Sequence, residues 1–148
     1  MLAARKTPTH DVEILQAVGA ALEGWDRTEI LAILVYGSAL GRHFRSDSDL
    51  DIAVLDRPEN LASDATLARM MDAIERRTGR EVDLRRIADL SLSHQAHVIE
   101  QGRPVWIGDP QALEAARREV LRQNAEQRPI SGRAWPALLE RLRRDHAA

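Results

Sequence analysis

The sequence predicts an α/β (α+β) fold, a small mixed sheet of three to four strands with helices packed on one side. Stretches with apolar residues at helical spacing alternate with short apolar runs of strand length. Gly, Pro and Asn residues punctuate the joins between them. The 148 residues suit one domain, long enough to bury about two-thirds of its unfolded surface without a covalent staple.

The first helix is expected over roughly Asp11 to Trp25. Leu15, Val18, Leu22 and Trp25 form one stripe, and Thr9 or Asp11 can cap it. Ile30 to Tyr36 is continuously apolar, the pattern of a central strand, and Gly37-Ser38 ends it. Leu50 to Val54 reads as a second strand, with Leu50, Ile52 and Val54 on one face and Asp49, Asp51 and Ala53 on the other. A helix from about Ser63 to Thr78 turns Leu67, Met71 and Ile74 inward and stops at Gly79. Glu81 to Ile87 is the third strand. A short helix around Ser93 to Gln101 ends at Gly102. Pro104 to Ile107 is a candidate edge strand, where a leading proline is tolerated. Asp109-Pro110 pairs a cap with a first-turn proline and starts a helix whose inner stripe is Leu113, Ala116 and Val120. Pro129 and Gly132 mark a break before a last helix from Trp135 to Arg144. The expected division is a domain over residues 1–124 and a basic helical extension over 125–148.

Composition excludes several classes of function. There is no cysteine, hence no disulfide framework, cysteine zinc site or thiol chemistry. The longest apolar run, Ile30 to Tyr36, is too short to span a bilayer. No apolar h-region follows Met1 to Lys6, so the expected compartment is the cytoplasm. A formal net charge of -2 and 3% aromatic residues supply neither a basic field nor a stacking platform for nucleic acid. Lys6 is the one lysine among 21 basic residues, and the lysine-based P-loop pattern is absent. Charge is uneven. Residues 112–148 hold eight arginines and five acids, a balance of +3, which leaves -5 for the rest.

The chemistry-bearing stretch runs from Val35 to Val54. Asp49 and Asp51, spaced i and i+2 on a strand, leave one face about 7 Å apart at Cα. Two like charges so placed raise each other's pKa, and a hard divalent cation resolves the conflict with oxygen ligands. Gly37 at the end of a central strand allows close backbone approach to a ligand. Ser38 adds a hydroxyl and an amide where phosphates bind well. A phosphate-binding turn followed by a pair of metal-ligating acids is the equipment of phosphoryl or nucleotidyl transfer.

This arrangement resembles the nucleotidyltransferases of the DNA polymerase β superfamily, whose signature is Gly-Ser, ten residues, then Asp-x-Asp. Gly37, Ser38, Asp49 and Asp51 match it, with Ser48 and Val54 in the flanking places. The short length is similar to that of the minimal nucleotidyltransferases (MNT), antitoxin members of HEPN–MNT toxin–antitoxin pairs. One departure is that Gly41 stands three positions after Ser38, and Arg42 holds the place four after it where many members have glycine. The resemblance, which covers roughly residues 10–122, implies a polymerase-β-like core and a third carboxylate on a later strand. Asp83, in Glu81-Val82-Asp83-Leu84, fits that place, with Glu81 as its competitor. It further implies that Asp49 and Asp51 hold two Mg²⁺ ions, that Asp83 holds the catalytic one and helps deprotonate the attacking hydroxyl, and that AMP moves from ATP to a tyrosine of a cognate HEPN toxin, with which the chain forms an oligomer. The alternatives are a small-molecule nucleotidyltransferase of the aminoglycoside type and a non-catalytic antitoxin acting by occlusion.

Arg42 and Arg45, between the turn and the acidic strand, are candidates to neutralise a triphosphate. His94 and His97 are i, i+3 on a short helix and read as surface residues, since no third ligand is near. Trp25 and Trp106 read as core anchors. The arginine pairs at 76–77, 85–86, 117–118 and 143–144 read as solvated faces. A HEPN-type ribonuclease motif, Arg and His four to six residues apart on a helix, is not met by Arg86 and His94, which have seven residues between them across an expected loop, so the chain is not expected to be the HEPN toxin itself.

Overall fold

The first strand, β1 (Ile30–Tyr36), is buried along its whole length, and the rest of the molecule is built on it. The computed structural model describes residues 11–26, 28–41, 48–127 and 140–144. β1 pairs antiparallel with β2 (Leu50–Asp56) on one side and with β4 (Arg103–Ile107) on the other. β3 (Val82–Arg86) lies parallel to β2, which gives a mixed four-stranded sheet in the order β3-β2-β1-β4. Parallel neighbours need a crossover, and α2 (Asp64–Thr78) supplies it.

α2 stops at Gly79 as expected, and Ser63, expected as its first residue, is instead its N-cap. The Ser63 side chain accepts from the Thr66 amide at 3.1 Å, a bond worth about 1 kcal/mol. Gly79 closes the helix at φ 68°, in the left-handed region that glycine enters freely. The proposed caps of α1 (Asp11–Ala21), Thr9 and the Asp11 side chain, lie outside the described residues.

The fold class and the four strands match expectation, but the helices cover both faces of the sheet rather than one. On the first face, Ile14, Val18 and Leu22 from the α1 region and Met70 and Ile74 of α2 pack on Ile33, Val35, Leu50, Ile52 and Val54. Trp25 and Trp106 anchor the margin of this cluster. On the second face, Val98 and Ile99 of α3 (Leu92–Gln101) bury Ala32, Leu34, Tyr36 and Ala53. Leu113 and Val120 of α4 (Pro110–Gln127) close over them. The reason lies in β1. With no polar face, it needs an apolar cover on each side. α4 runs past Asn124 to Gln127, and residues 140–144 are helical.

A second correction concerns Arg86. It is not a solvated arginine. Its side chain is 15% exposed, and its Nη1 lies 2.6 Å from Asp56 Oδ2. Nη2 donates to the Ala62 carbonyl, and the Ala62 amide returns a bond to Asp56 at 3.3 Å. This knot ties the C-terminal ends of β2 and β3 to the loop that leads into α2.

Candidate active site

At the other end of β2 the acids have no such partner in common. Strand alternation sends Leu50, Ile52 and Val54 to the α1/α2 face, so Asp51 turns to the α3 face with Ala53. The parallel register sets Asp51 directly beside Asp83 of β3, and the antiparallel register sets it beside Tyr36 of β1. Asp49, exposed, lies two residues earlier, just before β2. Asp51 and Asp83 from two neighbouring strands therefore share one face, and Asp49, just before β2, is near enough for its charge to act on Asp51. Glu81, the competitor of Asp83, precedes β3 and is exposed, and its carbonyl accepts from the Leu50 amide at 2.8 Å.

The electrostatics follow. Burial pushes the Asp51 carboxyl above its ordinary value, and the charges of Asp83 and Asp49 push it further. Arg85 and His94 act the other way. Tyr36 is raised too, first by burial, then by Asp51 and Asp83. Arg85 Nε lies 3.2 Å from Asp83 Oδ1, and this bond holds the guanidinium above its usual pKa.

Gly37 follows Tyr36 at φ 73°. A Cβ there would fall against Asp51 Oδ2, well inside van der Waals contact. Only glycine supplies both the left-handed backbone and the room. Gly37 to Leu40 then form one 3-10 turn, closed by the Gly41 amide on the Ser38 carbonyl at 2.9 Å. Ser38 is exposed beside the acids. Arg42 and Arg45 lie outside the described residues.

The donor set suits a hard divalent cation: carboxylate oxygens only, partly dehydrated, and short of positive charge. Among the described residues no three acid or histidine side chains already enclose a common point. Asp83 is turned to Arg85, the contact a ligand would compete with.

Three neighbours escaped sequence reasoning. Tyr36 carried a signal, since it precedes Gly37 and shares the Asp51 face. Arg85 carried a weaker one, two residues beyond Asp83. His94 carried none. Its ring meets Tyr36 edge-on, with centroids 6.1 Å apart and planes at 80°, and only the docking of α3 brings it there.

A glycine-led turn at the end of β1 beside paired acids of β2 and β3 is the arrangement that the sequence led one to expect of a nucleotidyltransferase. Residues 25–111 match the family model of the polymerase beta nucleotidyltransferases, more than half of the chain, which belongs to that family. No curated protein matches it. Several solved structures share the fold. A chain of a toxin–antitoxin complex with AMP-PNP aligns at TM-score 0.59 and 21% identity, over 90% of this chain and 98% of its own length. A chain of the MntA–HepT toxin–antitoxin structure aligns at 0.56 and 18%, over 93% and 99%. A chain of the tri-AMPylated Shewanella oneidensis HEPN toxin in complex with its MNT antitoxin aligns with the same four values.

Proposed function

We propose that this nucleotidyltransferase is an MNT-type antitoxin that moves AMP from ATP to a hydroxyl, a tyrosine of a HEPN toxin being the acceptor. The observation that carries the reading is the pairing of Asp51 with Asp83 on one face of the sheet, with Gly37 against Asp51 and the charge of Asp49 acting on it. The similarity to chains from toxin–antitoxin complexes, one with AMP-PNP and one with an AMPylated toxin, supports the choice of nucleotide and partner.

In this reading Asp49, Asp51 and Asp83 hold Mg²⁺, two ions in all. Bound there, Mg²⁺ supplies charge neutralisation and orientation for the polyphosphate. The acceptor oxygen forms a bond to the α-phosphorus, and the bond from that phosphorus to the bridging oxygen of the β-phosphate breaks, releasing pyrophosphate. Asp83 takes the acceptor proton, as general bases within hydrogen-bond reach do. Gly37 and Ser38 seat the phosphates, and Arg42 adds positive charge to them. Positioning and charge stabilisation account for most of the rate. ATP and a toxin partner put the reaction in the cytoplasm. We retain the division at residue 124: the core carries the chemistry, and the arginine-rich extension over 125–148 adds affinity for the partner.

The test is intact-mass spectrometry of a HEPN partner after incubation with the chain, ATP and Mg²⁺. The expected result is a mass increase of whole AMP units on the toxin, lost with Asp83→Ala and kept with Glu81→Ala. Toxin silenced at unchanged mass indicates occlusion instead. AMP on a small-molecule hydroxyl but not on toxin indicates the aminoglycoside-type alternative.

A further inference from the structure

Arg80 is 4% exposed, a fully charged side chain inside the protein and outside the chemistry described so far. Burying a guanidinium is costly unless its donors are satisfied. Its Nη1 donates to the Ser48 carbonyl at 3.1 Å, across 32 positions of sequence. Its own amide donates to Thr78 Oγ1 at 3.3 Å, and that hydroxyl donates in turn to the Ile74 carbonyl at 2.8 Å. The corner between α2 and β3 is thus fixed to the last turn of α2, just past the left-handed Gly79.

The same corner holds β2 at a second point, because the Leu50 amide donates to the Glu81 carbonyl at 2.8 Å. Ser48 and Leu50 are the two chain neighbours of Asp49. The residue between them is exposed. Its backbone is held by two tethers from residues 80 and 81.

From this geometry we infer that Arg80 is a positioning residue for the acidic site, fixing the backbone at Ser48 so that the Asp49 carboxylate is delivered to the face that carries Asp51 and Asp83. The inference rests on the proposed metal role of Asp49. Groups that hold a ligand in place without touching the ion commonly matter 10–100-fold in metal affinity.

The test uses the full chain and Mn²⁺ as the probe, with free Mn²⁺ read by electron paramagnetic resonance and folding followed by circular dichroism. Arg80→Met is expected to bind Mn²⁺ at least about tenfold more weakly while folded. Arg80→Lys, which keeps the charge and one donor but not the planar fork, is expected to lose less. The decisive arm is a double-mutant cycle with Asp49→Asn. If Arg80 acts through Asp49, Arg80→Met costs nothing further in the Asp49→Asn background. Full additivity overturns the inference, as does a folded Arg80→Met that binds Mn²⁺ like the parent. Should Arg80→Met not fold, Arg80→Lys decides: affinity equal to the parent overturns the inference, and a several-fold loss that disappears in the Asp49→Asn background supports it. Unchanged Mn²⁺ affinity in Asp49→Asn alone overturns the proposed metal site, and the role of Arg80 with it.

Discussion

The two ends of the β2–β3 pair treat carboxylates in opposite ways. At the C-terminal end Asp56 is 5% exposed, yet it has a guanidinium at 2.6 Å and a backbone amide at 3.3 Å. At the N-terminal end Asp51 is less buried and stands beside Asp83 and near Asp49, with its proton affinity raised. The first arrangement is what a buried charge needs for stability. The second stores repulsion that folding alone does not require, the pattern expected of a site shaped for a ligand. Compensation, more than burial, separates Asp56 from Asp51, while Asp83 has Arg85 at 3.2 Å.

The contrast can be broken from either end. The largest effect is expected at the uncompensated end. Asp49→Asn and Asp51→Asn should each cost several kcal/mol of transition-state stabilisation, about a thousandfold or more in transfer rate. Both should leave the fold intact, as read by labelled AMP incorporation beside circular dichroism. At the compensated end the order reverses. Asp56→Ala strands Arg86 and should destabilise the fold by about 3–5 kcal/mol in urea titration. The fraction still folded should bind Mg²⁺ and ATP as the parent does.

Gly37→Ala tests the join between the phosphate turn and the acids. The left-handed backbone alone costs about 1–2 kcal/mol with a Cβ, and the methyl must displace the Asp51 carboxylate. Stability should fall by that amount, and transfer should fall further than stability explains.

The smallest effect is on the metal-free protein. The folded-state pKa of Asp51 lies above its usual value of 3.8, so the native state holds that proton more tightly than the unfolded chain. The resulting stabilisation is present at and below the usual value and is lost as pH rises through the raised one. At neutral pH the ionised Asp51 is therefore a burden, and Asp51→Asn should melt slightly higher without metal. That gain should shrink as pH falls toward 3.8. A lower melting temperature at neutral pH would show that Asp51 is compensated after all.

Much of this was legible in the residues. β1 needed only its apolar run, and α2 its Gly79 stop. The spacing of Gly37-Ser38 and Asp49-x-Asp51 pointed to the acidic site, but Asp49 falls just before β2, and only the parallel register sets Asp83 beside Asp51. The packing of helices on both faces was also written in β1, whose lack of a polar face was read as centrality alone. Arg80 and Arg86 were not legible. Each is buried by partners 32 and 30 positions away, and composition makes every arginine look solvated. His94 depends on how α3 lies over the sheet, which no local period encodes.

The central claim is that Asp49, Asp51 and Asp83 hold metal and nucleotide together. Thermal melting of the wild type, Asp51→Asn and Asp83→Ala with Mg²⁺ and a non-hydrolysable ATP analogue tests it most directly. Ligands that bind the native state raise its stability by mass action. The wild type should gain most stability when metal and nucleotide are both present. Asp51→Asn should gain almost none, and Asp83→Ala should keep part of the gain. Equal gains in all three proteins would contradict the claim and place the ligand elsewhere.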